Sequence, residues 1–85
     1  MQLLKFYADW CGPCKMLGMT MDKMEFPFQL VPVSLDENTD LAVKYGVRTI
    51  PTLILIDEEG NELERMQNSQ ATKDEIFETF VTKHV

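Results

Sequence analysis

The sequence predicts an α/β fold: one mixed sheet with helices on its faces, in a single domain spanning residues 1–85. Three observations carry this. Apolar runs of strand length alternate with segments of helical spacing. Short turns rich in Gly, Pro and Asp separate them. A Thr-x-x-Glu capping box opens the last helical segment. At 85 residues the chain has room for one domain and not two. Its 45% apolar content allows a packed core, although a domain this short buries a modest share of its surface.

Leu3 to Ala8 is a largely apolar, aromatic-rich run suited to a buried strand, interrupted by Lys5. Asp9 to Cys14 is a turn into a helix, with Pro13 where a first-turn proline is tolerated. That helix is expected to run to about Glu25. Met16, Leu17, Met21 and Met24 form its apolar stripe, Gly18 weakens it, and Pro27 stops it. Its methionines, Met16, Met19, Met21 and Met24, read best as adaptable core filling. Gln29 to Leu35 is a second strand, and Pro32 inside it demotes it to an edge or a bulge.

Asp36 to Asp40 starts a short helix through Leu41, Ala42 and Tyr45, and Gly46 stops it. Thr52 to Ile56 is apolar and β-branched, a central strand. Asp57 to Asn61 is a hairpin turn into a polar edge strand, Glu62 to Met66. After a loop over Gln67 to Ala71, Thr72 and Glu75 cap a final helix. Ile76, Phe77, Phe80 and Val81 form its apolar side, and Lys83 and His84 lie at its negative end. The order is β-α-β-α-β-β-α.

Eight basic residues against 14 acidic ones give a net charge of −6, which argues against a nucleic-acid binder. No run approaches the ~18 apolar residues of a membrane span, and the first residues do not resemble a signal peptide. The expected location is the cytoplasm, and the expected state a monomer.

The chemistry converges on the two cysteines, Cys11 and Cys14. A pair this close closes a tiny loop and staples almost nothing, so a purely structural bridge is a weak reading. At a helix start, unpaired backbone N–H groups and the positive end of the dipole stabilise a thiolate. Cys11 is therefore expected to be the attacking thiol. Cys14, one turn deeper and more shielded, is expected to be the resolving one. Two alternatives compete. A tetrahedral zinc site needs four ligands, and the chain has no other cysteine and only His84, far along the sequence, so no metal is expected. Two inert buried thiols fit poorly with the Trp10-Cys11-Gly12-Pro13 turn.

Trp10-Cys11-Gly12-Pro13-Cys14-Lys15, preceded by Phe6-Tyr7-Ala8-Asp9, matches the active-site signature of thioredoxins. Tyr45 to Thr52 is similar to that family's segment before its cis-proline. Over essentially its whole length the chain resembles a thioredoxin in a short form that lacks the N-terminal strand and helix. The resemblance implies a thioredoxin fold with sheet order 2-1-3-4. It also implies catalytic Cys11 and Cys14 and a cis Pro51. Ile50 would offer its backbone to an extended substrate, with Trp10, Gly12 and Pro13 as the apolar contact surface. The implied activity is reduction of protein disulfides through the Cys11–Cys14 redox pair with no other cofactor, recharged by an NADPH-dependent thioredoxin reductase. A glutaredoxin-like protein recharged by glutathione and a thioredoxin-fold binding subunit are the alternatives. Gly12-Pro13 speaks against the glutaredoxin reading.

The departures from the family carry information. Lys5 stands where thioredoxins usually carry a buried aspartate, and Pro32 where its lysine partner usually lies. Lys5 is therefore expected to tune the cysteines toward thiolate and the couple toward a more oxidising potential, or else to snorkel to solvent. Met19 replaces a helix-kinking proline. Asn68 replaces a glycine that flanks the substrate groove.

Overall fold

The computed structural model describes residues 1–67 and 70–84. Its elements are β1 (Gln2–Tyr7), α1 (Gly12–Met21), β2 (Gln29–Ser34), α2 (Thr39–Lys44), β3 (Thr52–Ile56), β4 (Glu62–Met66) and α3 (Lys73–Ile76). The last continues into a π-helical segment (Phe77–Thr82). The sheet order is β2-β1-β3-β4, with β1 and β2 parallel and both other pairings antiparallel.

Alternation along β1 builds two cores. Leu3 joins Leu53 and Leu55 of β3 under Leu17 and Met21 of α1 and Ile76 and Phe80 of the last helix. Leu4 and Phe6 point the other way, with Ile54, Ile56, Val33, Ala42 and Val47. β3 is buried along its whole length, which is why its sequence shows no polar alternation. Each large side chain buried here contributes about 1.5–3 kcal/mol. β2 and β4 are the two edges. Pro32 is exposed on β2, where a missing donor costs no ladder bond and discourages pairing with another chain. On β4 the pairing shifts between Leu55 and Ile56, leaving Leu63 out of the ladder.

The turns follow from side-chain chemistry. Gly46 and Gly60 take positive φ values of 63° and 84°. In the hairpin, Asp57 Oδ1 accepts from the N–H groups of Glu59 and Asn61, each at 2.9 Å. The Asn61 N–H is the main reason its carboxyl lies below the usual range. Tyr45 donates its hydroxyl to Gly60 O at 2.8 Å, and Arg65 donates to Tyr45 O, tying the end of α2 to the hairpin. The capping box forms as expected: Glu75 N donates to Thr72 Oγ1 at 3.2 Å and Thr72 N to Glu75 Oε1 at 3.4 Å.

Three expectations need correction. α1 stops at Met21 instead of near Glu25. Beyond it the chain crosses to β2 with Phe26 and Phe28 stacked at 5.7 Å between ring centroids, and both packed on the core. An i, i+2 pair shares a side of an extended segment but not of a helix. Second, Met21 and Met24 do fill the core, but Met16 and Met19 are 66% and 65% exposed. The inward face of α1 is Cys14, Leu17 and Met21, and Met16 and Met19 fall outside that stripe. Third, Phe77 is 46% exposed while Ile76, Phe80 and Val81 are buried. The i→i+5 bonding of a π-helix widens the turn, so residues four and five apart share a face.

At the chain's far end Lys83 and His84 reach Glu64 of β4, at 2.8 and 3.2 Å. The hydrogen bond from Lys83, then that with His84, holds the Glu64 carboxyl below its usual value. Among the described residues no helix is long and apolar enough to cross a membrane.

Candidate functional site

β1 delivers the chain through buried Ala8 to a turn that closes when Cys11 N donates to Ala8 O at 3.1 Å. Cys11 is the N-cap of α1, with extended backbone at φ −91° and ψ 106°. Gly12 and Pro13 follow as the first helical residues, where proline's missing N–H costs nothing. Cys14, at the third helical position, donates its N–H to Cys11 Sγ at 3.2 Å. The sulfur thus takes the place of a capping oxygen. The two cysteines form a disulfide across a Cα–Cα distance of 5.3 Å, which the helix start supplies without backbone movement.

After reduction, a negative Cys11 sulfur sits at the positive end of a ten-residue helix with a backbone N–H already aimed at it. A hydrogen bond to a charged group contributes about 1.5–3 kcal/mol, and the dipole about 0.3–1 kcal/mol more. No acidic residue in the first turn opposes this.

The expected difference in depth is absent. Cys11 is 6% exposed and Cys14 5%, since the bridge draws both into one cluster with Ala8. What separates them is the cap, with Cys11 Sγ receiving the N–H that Cys14 gives.

Ile50 and Tyr7 pack against that cluster. The Ile50–Pro51 bond is cis, Pro51 is buried, and Thr52 Oγ1 donates to Thr49 O at 2.6 Å across the bend. Neither backbone group of Ile50 bonds to a described residue. Thr52 supports this bend as well as starting β3, a second role that its place in the sequence hides. The signal was a hydroxyl among apolar strand residues directly after a proline. Trp10 is 69% exposed, and Gly12 and Pro13 are exposed beside it.

Lys5 is half-buried on β1 and lines a cavity of about 260 Å³ together with Cys14 and Gly18. Its strand partners are Pro32 and Leu53. Asn68 lies outside the described residues.

A bridge between residues one helical turn apart, set at the end of this sheet beside a cis-proline bend, defines the class as a dithiol protein of thioredoxin-type fold. The thioredoxin family model matches residues 1–82. A thioredoxin of Pseudomonas aeruginosa is 43% identical over 63 residues, covering 69% of this chain and 57% of that protein. Thioredoxin-T of Drosophila melanogaster is 39% identical over 66 residues, covering 73% and 41%. Among solved structures, Fasciola hepatica thioredoxin superposes with a TM-score of 0.84 at 30% identity, covering 99% of this chain and 80% of that one. A malarial protein superposes at 0.82 with 31% identity, covering 99% and 96%. The chain belongs to the thioredoxin family. It aligns with about two fifths to three fifths of the length of these curated relatives.

Proposed function

We propose that the chain is a thiol–disulfide oxidoreductase that reduces disulfides in other proteins. The observation that carries this is the Cys11 sulfur at the cap of α1, holding the Cys14 N–H and bridged to Cys14. In the reduced protein the Cys11 thiolate attacks one sulfur of a substrate disulfide, and the other leaves as a thiolate. The Cys14 thiolate then attacks Cys11 Sγ in the mixed disulfide and expels the second substrate sulfur. The cysteine pair loses two electrons, the substrate gains them, and the two cysteine protons end on the substrate thiols.

Exposed Trp10, Gly12 and Pro13 offer the apolar contact surface, and the Ile50 backbone, unbonded among the described residues, suits pairing with an extended substrate segment. The bridge itself is the redox group, with no further cofactor. An NADPH-dependent thioredoxin reductase regenerates the dithiol, and a monomer in the cytoplasm fits this cycle.

Cys14→Ser tests the reading: it should trap a mixed disulfide between Cys11 and a disulfide-bonded probe such as insulin, and Cys11→Ser should trap none. Trapping through neither cysteine, or equally through both, contradicts it. Oxidised protein should be reduced by NADPH with thioredoxin reductase and not by glutathione alone.

A further inference from the structure

Resolution of the mixed disulfide needs Cys14 as a thiolate, yet Cys14 donates its N–H to Cys11 and receives no comparable bond from the cap. Something else has to favour its charge. Three segments line the space beside it. β1 contributes Lys5 and Tyr7, the turn Asp9, and α1 Lys15, with Asp22 just past its end. Neighbouring β2 and β3 place uncharged Pro32 and Leu53 on either side of Lys5. Asp9, Lys15 and Asp22 are exposed, while Lys5 is half-buried. The Lys5 ammonium makes no hydrogen bond or ion pair with a described residue.

Gly18 sets the position of that ammonium. A Cβ built there would lie 3.5 Å from Lys5 Nζ, so the lysine rests against α1 at the bare backbone of Gly18. Gly18 is four residues after Cys14, on the same helix face. A mid-helix glycine costs about 1 kcal/mol relative to alanine. Here it leaves the helix surface open to the lysine one turn below the thiol, with both lining one cavity.

We propose that Lys5 is an electrostatic positioning residue for Cys14: its unpaired ammonium, seated against Gly18, holds the resolving sulfur as a thiolate in the mixed disulfide. No carboxylate base is then needed. The Cys14 proton has already passed to water when Cys14 attacks Cys11 Sγ, and the expelled substrate thiolate takes one back from water, so the overall proton balance is unchanged. The effect falls on Cys14, because Cys11 is served by the helix cap. It follows that resolution proceeds at pH values where an unassisted thiol would stall. This rests on the dithiol reading above.

The test isolates Cys14 as the only thiol, in Cys11→Ser protein, and titrates its ultraviolet thiolate absorbance. Adding Lys5→Met should raise the midpoint by about one pH unit, as expected for loss of a nearby opposite charge. Adding Lys5→Arg should restore it. Lys5→Gln serves if the methionine variant does not fold, as judged by its melting curve. With Cys11 present, Lys5→Met should slow insulin reduction about tenfold below that midpoint and little above it. An unmoved midpoint, or one that arginine does not restore, overturns the proposal. Failure of the dithiol reading itself would show separately, as unmutated protein that does not reduce insulin.

Discussion

Phe77 and Phe80 stand three residues apart on what the sequence presents as one apolar stripe, and the structure separates them. Phe80 is fully buried against Leu3, Leu17, Leu55 and Ile76, and Phe77 is 46% exposed. Phe80→Ala removes a ring from a closed core, with lost transfer energy and a cavity together costing about 3–5 kcal/mol. For a chain of this length the whole folding free energy is about 4–13 kcal/mol. At about 4–8 °C per kcal/mol, melting should fall by at least about 12 °C. Phe77→Ala leaves no closed cavity and should cost about 1 kcal/mol or less. Thermal and urea melts of both variants, monitored by circular dichroism, give the comparison. Equal losses would refute the π-helical phasing, because a regular α-helical stripe would bury both rings.

Three other outcomes follow from local chemistry. Thr72→Ala removes the cap of α3 and should cost about 1 kcal/mol in urea melts, and Thr72→Ser should recover most of it. Gly46→Ala forces a side chain onto a φ of 63° and should cost about 1 kcal/mol, although nothing crowds the new methyl. Glu64 binds its proton less readily when folded, because Lys83 and His84 hold the carboxylate. Its contribution is therefore present above the unfolded carboxylate pKa of about 4.3 and fades as pH falls through the lower folded value. Urea melts should show Glu64→Gln destabilised by about 0.5–1 kcal/mol near neutrality, with the gap from the parent closing in acid. A gap that persists in strong acid contradicts the ion-pair account.

Much of this architecture is legible in the residues. Apolar strand runs, the capping box and Gly46 mark the elements, and Pro32 marks an edge because a central strand could not spare its donor. What escapes the sequence is whatever depends on packing between distant segments. That α1 ends at Met21, well before Pro27, goes with Phe26 and Phe28 packing on a core that their own identities do not announce. The phase of the last helix depends on i→i+5 bonding, which no residue type announces. At the site, the pairing of Cys11 with Cys14 at a helix start is legible in the sequence. Their equal burial is not, because depth is set by Ala8, Tyr7 and Ile50 arriving from elsewhere. Lys5 was visible as a misplaced charge, but its seat against Gly18 exists only once β1 packs on α1.

The central claim is that the cysteine pair passes two electrons to a protein disulfide. The direct measurement mixes stoichiometric reduced protein with insulin and counts thiols on both partners by mass after alkylation. The account predicts two thiols lost from Cys11 and Cys14 for each insulin disulfide opened, with Cys11→Ser protein inert. Insulin left intact by the reduced protein, or opened equally well by Cys11→Ser, would contradict it.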